Sequence, residues 1–362
     1  MLSGRPRWHW LLIGAFQLAI GLLLVEGLIV LLLRHPALVA RMPDGLADLV
    51  RNVYMNQDRH IIQFDPRMAR YDPELFYSLR PGSFVHENRE FRNAYRVNHA
   101  GMRDDEVSLD SPRIIVAGDS MAMGWGVDQE ETFAQRIERA TGGKVLNAAI
   151  SSYGTVRELR ILERARIDGS QLDALVIAYN STDFPENATY FAGGGRLPVS
   201  DERLFDDIVA YQQRIRHYRP FLYVRSLVRA ALGRAAPETP VPAFAKTSMH
   251  RTPEDEARVF LYALAHAAPP ALQGARAVLI HLDGRNESSG EFLAQVDRLR
   301  QDKPAGSLAR RMTLVDLNQR LQPEDYFVID DHLRASGHAV VAKALLEVLA
   351  QPGSEGTLRT LF

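Results

Sequence analysis

Between residues 113 and 349, short β-rich apolar runs alternate with segments of helical periodicity, and this grammar admits few folds. A parallel strand needs a long crossover, and a crossover helix packed on the sheet supplies it. The pattern predicts strands at 113–117, 144–149, 174–179, 275–281 and 312–317, with helices at 131–140, 155–166 and 336–349. In the last helix Val341, Ala344, Leu345 and Val348 fall on one face. Five such strands predict an α/β domain over 111–352: a flavodoxin-like three-layer α/β/α sandwich on a five-stranded parallel sheet. One connection breaks the rule. Between the third and fourth strands an insertion covers about 184–274, far longer than an ordinary crossover.

Residues 10–33 are almost uninterrupted apolar, long enough for a helix to cross the ~30 Å hydrocarbon layer of a bilayer. Trp8 and Trp10 stand where an interfacial aromatic belt would, Arg5 and Arg7 precede the run, and Arg34 follows it. Both flanks are basic, so charge leaves the orientation open. A cleavable signal peptide is the rival reading, but the run exceeds a usual signal core and no small-x-small site follows Leu33. The expectation is therefore an uncleaved anchor over 1–36, whose orientation these residues leave open. Glu26, inside the run, receives no role. Residues 37–110 read as an irregular, β-rich linker, with short strands and turns rather than helices from Pro43 onward.

Composition removes several functions. The formal net charge is -1, which gives no electrostatic basis for binding nucleic acid. With no cysteine there are no disulfides, no thiolate metal sites and no thiol nucleophile. One basic stretch stands out within the insertion, at 212–234: Arg214, Arg216, His217, Arg219, Arg225, Arg229 and Arg234 among aromatic and aliphatic residues, helix-like on either side of Pro220. It reads either as the solvated face of an ordinary amphipathic helix or as a surface lying on an anionic leaflet. Residues 235–242 then read as an extended link.

The first strand of the domain runs directly into Gly118-Asp119-Ser120, which puts a serine at the carboxyl end of the sheet, where open α/β sheets bind ligands. Gly-Asp-Ser alone is a common turn or helix cap. A hydroxyl becomes a useful nucleophile only when a base takes its proton and an acid orients that base. Such a pair stands in Asp330-Asp331-His332, between the last strand and the last helix. Asp330 is the chosen acid and His332 the base. The competing reading makes the aspartates a helix cap, and a second one makes Asp330, Asp331, His332 and His338 a metal site. The metal reading lacks the two-histidine helical spacing of zinc-protease motifs, so no metal and no cofactor is expected.

Four blocks in order carry a resemblance: Gly118-Asp119-Ser120; Asn147 to Thr155 through Ser152 and Gly154; Tyr179 to Asn187 through Asn180, Thr182 and Asp183; and Asp330-Asp331-His332. Together they resemble the SGNH (GDSL-type) hydrolases and acyltransferases, and Val97 to Arg103 looks like the segment before the catalytic domain in envelope-anchored members. The resemblance implies an acyl-Ser120 intermediate, ester hydrolysis or O-acylation, a small ester or acylated glycan as substrate, and a domain on the extracytoplasmic (periplasmic) side of the membrane. It also implies an oxyanion hole built from the Ser120 N–H, a glycine N–H of the second block and an asparagine of the third. Here Ser152 holds the glycine position with Gly154 two residues on, and Thr182 holds the asparagine position with Asn180 two residues earlier. Either Asn180 substitutes or activity is low, because loss of one oxyanion donor costs about 2.7–4 kcal/mol. The alternative implied is a catalytically weak scaffold or glycan-binding subunit on the same fold.

Overall fold

A computed structural model describes residues 8–232, 240–285, 290–317, 319–351 and 356–360. The chain divides into two compact units. The larger comprises Ile61–Val209, Pro240–Phe327 and Asp331–Phe362. Its centre is a parallel sheet whose spatial order is Val145–Asn147, Ile114–Gly118, Ala174–Tyr179, Arg276–His281, Thr313–Asp316 and Leu358–Thr360. The five predicted strands are all present, in the order second, first, third, fourth, fifth of a flavodoxin-like sheet. A short sixth strand, not predicted, adds an edge where Leu358 pairs with Leu314. Three residues are too few to carry a periodicity.

Every residue of Ile114–Gly118 and Ala174–Tyr179 is buried, because helices cover both faces of the sheet and leave no polar side to alternate. The predicted helices are Phe133–Thr141, Thr155–Arg164 and Ala335–Leu349. Local chemistry sets their ends. The Thr132 hydroxyl accepts the Gln135 N–H at 3.3 Å to start the first, and Gly142, at φ 71°, stops it. The helix Thr155–Arg164 has a carboxylate cap supplied from a distance: Glu186 accepts the N–H groups of Gly154 at 3.1 Å and Arg157 at 3.0 Å. Between the third and fourth strands, Phe184–Ala192 and Pro253–Ala267 are helices of this unit, and Phe184, Ala188 and Val259 share a buried cluster. Ahead of the sheet lie two antiparallel pairs, Ala69–Asp72 with Phe76–Leu79 and Gly82–Glu87 with Arg92–Val97.

The smaller unit comprises Met1–His60, Ala210–Thr239 and Val328–Asp330. It contains the helix Trp8–Arg34, whose mean hydropathy of 2.5 and length suffice to cross a membrane. Arg5, Arg7, Arg234 and residues 235–239 lie outside the described residues. The expectation of strands and turns without helices from Pro43 onward is corrected here, because Asp44–Val53 is a helix. Its signals are present in the sequence: Pro43 at the cap, Asp44 in the first turn, and Ala47, Val50 and Val53 at a spacing of three on the buried side. The basic stretch is interrupted at Pro220 as expected, and Leu222–Ala231 forms a helix after it. A core of Ile29, Leu32, Leu33, Val39, Val50, Val53, Tyr54 and Tyr223 holds the unit together.

Candidate active site

The sheet register brings three of the four sequence blocks to one place. Gly118 pairs with Ala178, so the end of the third strand lies beside the serine, and the Ile150 N–H donates to the Gly118 carbonyl at 3.0 Å, which docks the second block against the first. Gly118 has to be glycine. A Cβ there would lie 2.7 Å from Ala122 Cβ and 3.0 Å from the Ala178 carbonyl oxygen. Asp119 then caps the one-turn helix Ser120–Met123, its carboxylate accepting the Met121 N–H at 2.9 Å.

Ser120 Oγ and His332 Nε2 are 2.8 Å apart, although 212 residues separate them along the chain. Both are almost wholly buried. The His332 ring stacks on the Trp125 indole with centroids 4.9 Å apart and planes 18° apart. Its main chain is also fixed, since the His332 carbonyl accepts the Phe327 N–H at 3.0 Å. On the far side of the imidazole, Nδ1 lies 3.1 Å from the Asp331 carboxylate, which is 44% exposed. Asp330, within the smaller unit, is 2% exposed and accepts the Tyr54 hydroxyl at 2.8 Å. His338 takes a different part: it stacks on Phe133 and accepts the Phe133 N–H at 3.3 Å, and burial pushes its pKa down to about 3. It is a buried neutral ring in the core rather than a fourth ligand for a cation.

The expected oxyanion donors fare differently. Ser152 adopts φ 57°, the left-handed conformation that favours the glycine expected there, and its N–H makes no hydrogen bond among the described residues. The Gly154 N–H is already engaged by Glu186. Asn180 is held at both ends of its amide, donating to the Leu282 carbonyl at 2.7 Å and accepting the Thr182 N–H at 2.8 Å. One Asn180 N–H remains after that bond. Thr182 is exposed at the surface end of the same turn.

Several contributors were not read from the sequence. Arg103 is fully buried and sends its guanidinium to the carbonyls of Met123 at 3.2 Å, Gly124 at 2.5 Å and Val127 at 2.7 Å, with its flat face 3.5 Å from the Tyr95 ring centroid. It thus fastens the loop that carries Trp125 under His332. The quoted block from Val97 to Arg103 already held this residue, but which carbonyls it reaches is a matter of tertiary path. A second Ser/His/Asp group has a structural geometry: the Ser181 hydroxyl donates to Asp283 at 2.7 Å, and His281 Nε2 is 3.0 Å from the same carboxylate. The same Ser181 oxygen is 3.4 Å from His281 Nε2, so the carboxylate, and not the imidazole, is the shorter hydrogen-bond acceptor of this hydroxyl.

Beneath the serine lies a group of buried acids. Burial raises the Asp119 carboxyl to about 6, with the Met121 N–H and the charge of His332 working the other way. Glu158 is pushed well above the ordinary carboxylate range by burial and then by the charge of Asp119, and neither of its oxygens has a hydrogen-bond partner among the described residues. Asp183 is raised by burial and then by Glu158. A carboxyl whose folded pKa is raised stabilises the fold at low pH, and that contribution is lost as pH climbs from the ordinary value of 4.5 through the folded one. Glu158→Gln is therefore expected to leave stability near pH 5 almost unchanged and to raise it at pH 8 by about 1–3 kcal/mol. Urea unfolding at the two pH values measures this, and an equal change at both would contradict it.

No known protein family matches the chain, and no curated protein matches it. Among solved structures it is similar to a Corynascus thermopiles (Myceliophthora fergusii) carbohydrate esterase family 2 enzyme plus carbohydrate binding domain, at 17% identity and a TM-score of 0.35, over 66% of this chain and 66% of that one. The chain thus spans just under two thirds of that protein's length, and a likeness at this level bears on neither substrate nor mechanism.

Proposed function

We propose that the larger unit is an SGNH-type serine esterase or O-acyltransferase that works through an acyl-Ser120 intermediate on carbohydrate or other small esters of the cell envelope. The observation that carries the reading is the 2.8 Å approach of Ser120 Oγ to His332 Nε2 at the carboxyl end of the sheet. His332 takes the hydroxyl proton as Ser120 attacks the ester carbonyl, then returns it to the departing alcohol. In the second half the same nitrogen deprotonates water, giving hydrolysis, or a sugar hydroxyl, giving acyl transfer. Asp330 orients the imidazole. The N–H groups of Ser120 and Ser152, with the remaining Asn180 N–H or the Thr182 hydroxyl, receive the oxyanion. These steps call for no cofactor.

The helix Trp8–Arg34 serves as an uncleaved single-pass anchor, with the catalytic unit on the extracytoplasmic side. A specific observation favours a second reading, a catalytically weak glycan-binding subunit: the Gly154 N–H is capped by Glu186 and Asn180 is clamped. Covalent labelling of the full chain by a fluorophosphonate probe, together with turnover of acetyl and longer acyl esters, tests the choice. Labelling at Ser120 supports the enzyme, and its complete absence supports the binding subunit.

Under the enzyme reading Arg103 is a positioning residue. Arg103→Lys keeps the charge but cannot span three carbonyls. It is expected to lower kcat by about 10–100-fold with KM little changed, because the Trp125 loop no longer holds His332 in line. A variant with wild-type kcat would remove Arg103 from that role.

A further inference from the structure

The long apolar helix changes environment partway along its length. From Trp8 to Val25 its side chains are exposed apart from a half-buried Leu22, whereas beyond that point one face, Glu26, Ile29, Leu32 and Leu33, is buried by other parts of the same unit while Leu28 and Leu31 on the opposite face stay exposed. At 1.5 Å per residue the exposed part is about 27 Å long, close to the ~30 Å a hydrocarbon layer requires. The break coincides with the one acidic residue of the helix. Glu26 accepts the N–H groups of Tyr223 at 3.4 Å and Val224 at 2.9 Å, the first turn of Leu222–Ala231. Tyr223 is further tied by its hydroxyl to Asp58 at 3.0 Å. A carboxylate at this point therefore caps a second helix and fixes it against the first at one height.

Among the described residues, that second helix keeps an exposed outer face. Tyr223 and Val224 point inward, while Arg225, Val228 and, one turn beyond, Leu232 lie outward. Val228 is 49% exposed and Leu232 61%. Tyr218 stands just before the helix at 54%, beside exposed Arg219 and Pro220. Apolar and aromatic side chains interleaved with arginines, at the level where a span of bilayer length ends, match the headgroup zone of a membrane.

We infer that the lipid boundary lies at Glu26 rather than near Leu33, and that 218–232 forms a collar resting on anionic phospholipid headgroups beside the span. This rests on the membrane-anchor reading. The collar would take its charge contacts from Arg219 and Arg225 and bury Val228 and Leu232 shallowly.

The chain contains no cysteine, so single cysteines can be placed cleanly at exposed positions in the full protein. Bimane-labelled Leu18→Cys, Leu31→Cys, Val228→Cys and Leu232→Cys are reconstituted in phosphatidylcholine vesicles with and without 30% phosphatidylglycerol, a content on the order of that in anionic leaflets. Quenching by brominated acyl chains is compared with quenching by aqueous iodide. Acyl-chain quenching is expected at 18 and iodide quenching at 31. At 228 and 232 iodide access should fall at least about threefold when phosphatidylglycerol is present, an effect lost in Arg219→Gln/Arg225→Gln. Acyl-chain quenching at 31 would overturn the boundary. Equal iodide access at 228 and 232 in both vesicles, or air-oxidised disulfide dimers of the unlabelled Val228→Cys chain, would overturn the collar, the latter showing that a second copy covers this face. Absence of acyl-chain quenching at 18 would instead remove the anchor itself.

Discussion

Replacing Ser120 by alanine is expected to abolish fluorophosphonate labelling of the full chain and to cut ester turnover by on the order of 10⁴-fold or more. Under the proposal this hydroxyl forms the acyl bond, and its chain neighbours offer no replacement: Asp119 is engaged in capping and Met121 has no nucleophile. His332→Ala should have a comparable effect, because an unassisted serine hydroxyl holds its proton at neutral pH. The two losses should not add. Once either partner is gone the 2.8 Å hydrogen bond cannot act, so the double variant is expected to be no slower than the slower single one. Retained labelling in Ser120→Ala, at any rate near that of the native chain, would end the proposal for this residue.

The second large effect concerns the acid. Asp330→Asn is expected to lower kcat by about 10²–10⁴-fold, and Asp331→Asn by less than about 10-fold. Both carboxylates are close to His332 in sequence, and the 3.1 Å approach belongs to Asp331. Under the proposal the role goes to Asp330 on the ground of exposure. Water screens a carboxylate that is 44% exposed, so it does little to hold an imidazolium, whereas Asp330 is 2% exposed and has its orientation set by the Tyr54 hydroxyl. Tyr54→Phe should then reproduce a fraction of the Asp330→Asn loss. Steady-state kinetics on one acyl ester compares all three variants, and a larger loss in Asp331→Asn would transfer the role to that residue.

The candidate pair, Ser120 and His332, was legible because each member stands at a recognisable place in the βα grammar: the serine after the first strand, the histidine between the last strand and the last helix. The helix Asp44–Val53 was missed although its apolar spacing of three is written in the chain, since Pro43 and the irregular residues around it read as a turn. Trp125 could have been noticed from Gly124-Trp125-Gly126, five residues past the serine, but stacking on His332 depends on where two separate loops end. Glu158 gave no signal. An acidic residue in an amphipathic helix is ordinarily solvated, and only the packed environment shows its two oxygens buried without donors.

The positions of the five strands along the chain, the candidate nucleophile and base, and the presence of one long apolar helix were determined by local pattern, because side-chain periodicity and the residues that end strands act over a few positions. Tertiary structure decided the rest: that Glu186 engages the Gly154 N–H, that Arg103 fastens the Trp125 loop, and that Glu26 caps the helix Leu222–Ala231. The physical reason is the same in each case. A hydrogen-bonding group has several partners it can satisfy, and which one it meets is set by contacts between segments far apart along the chain.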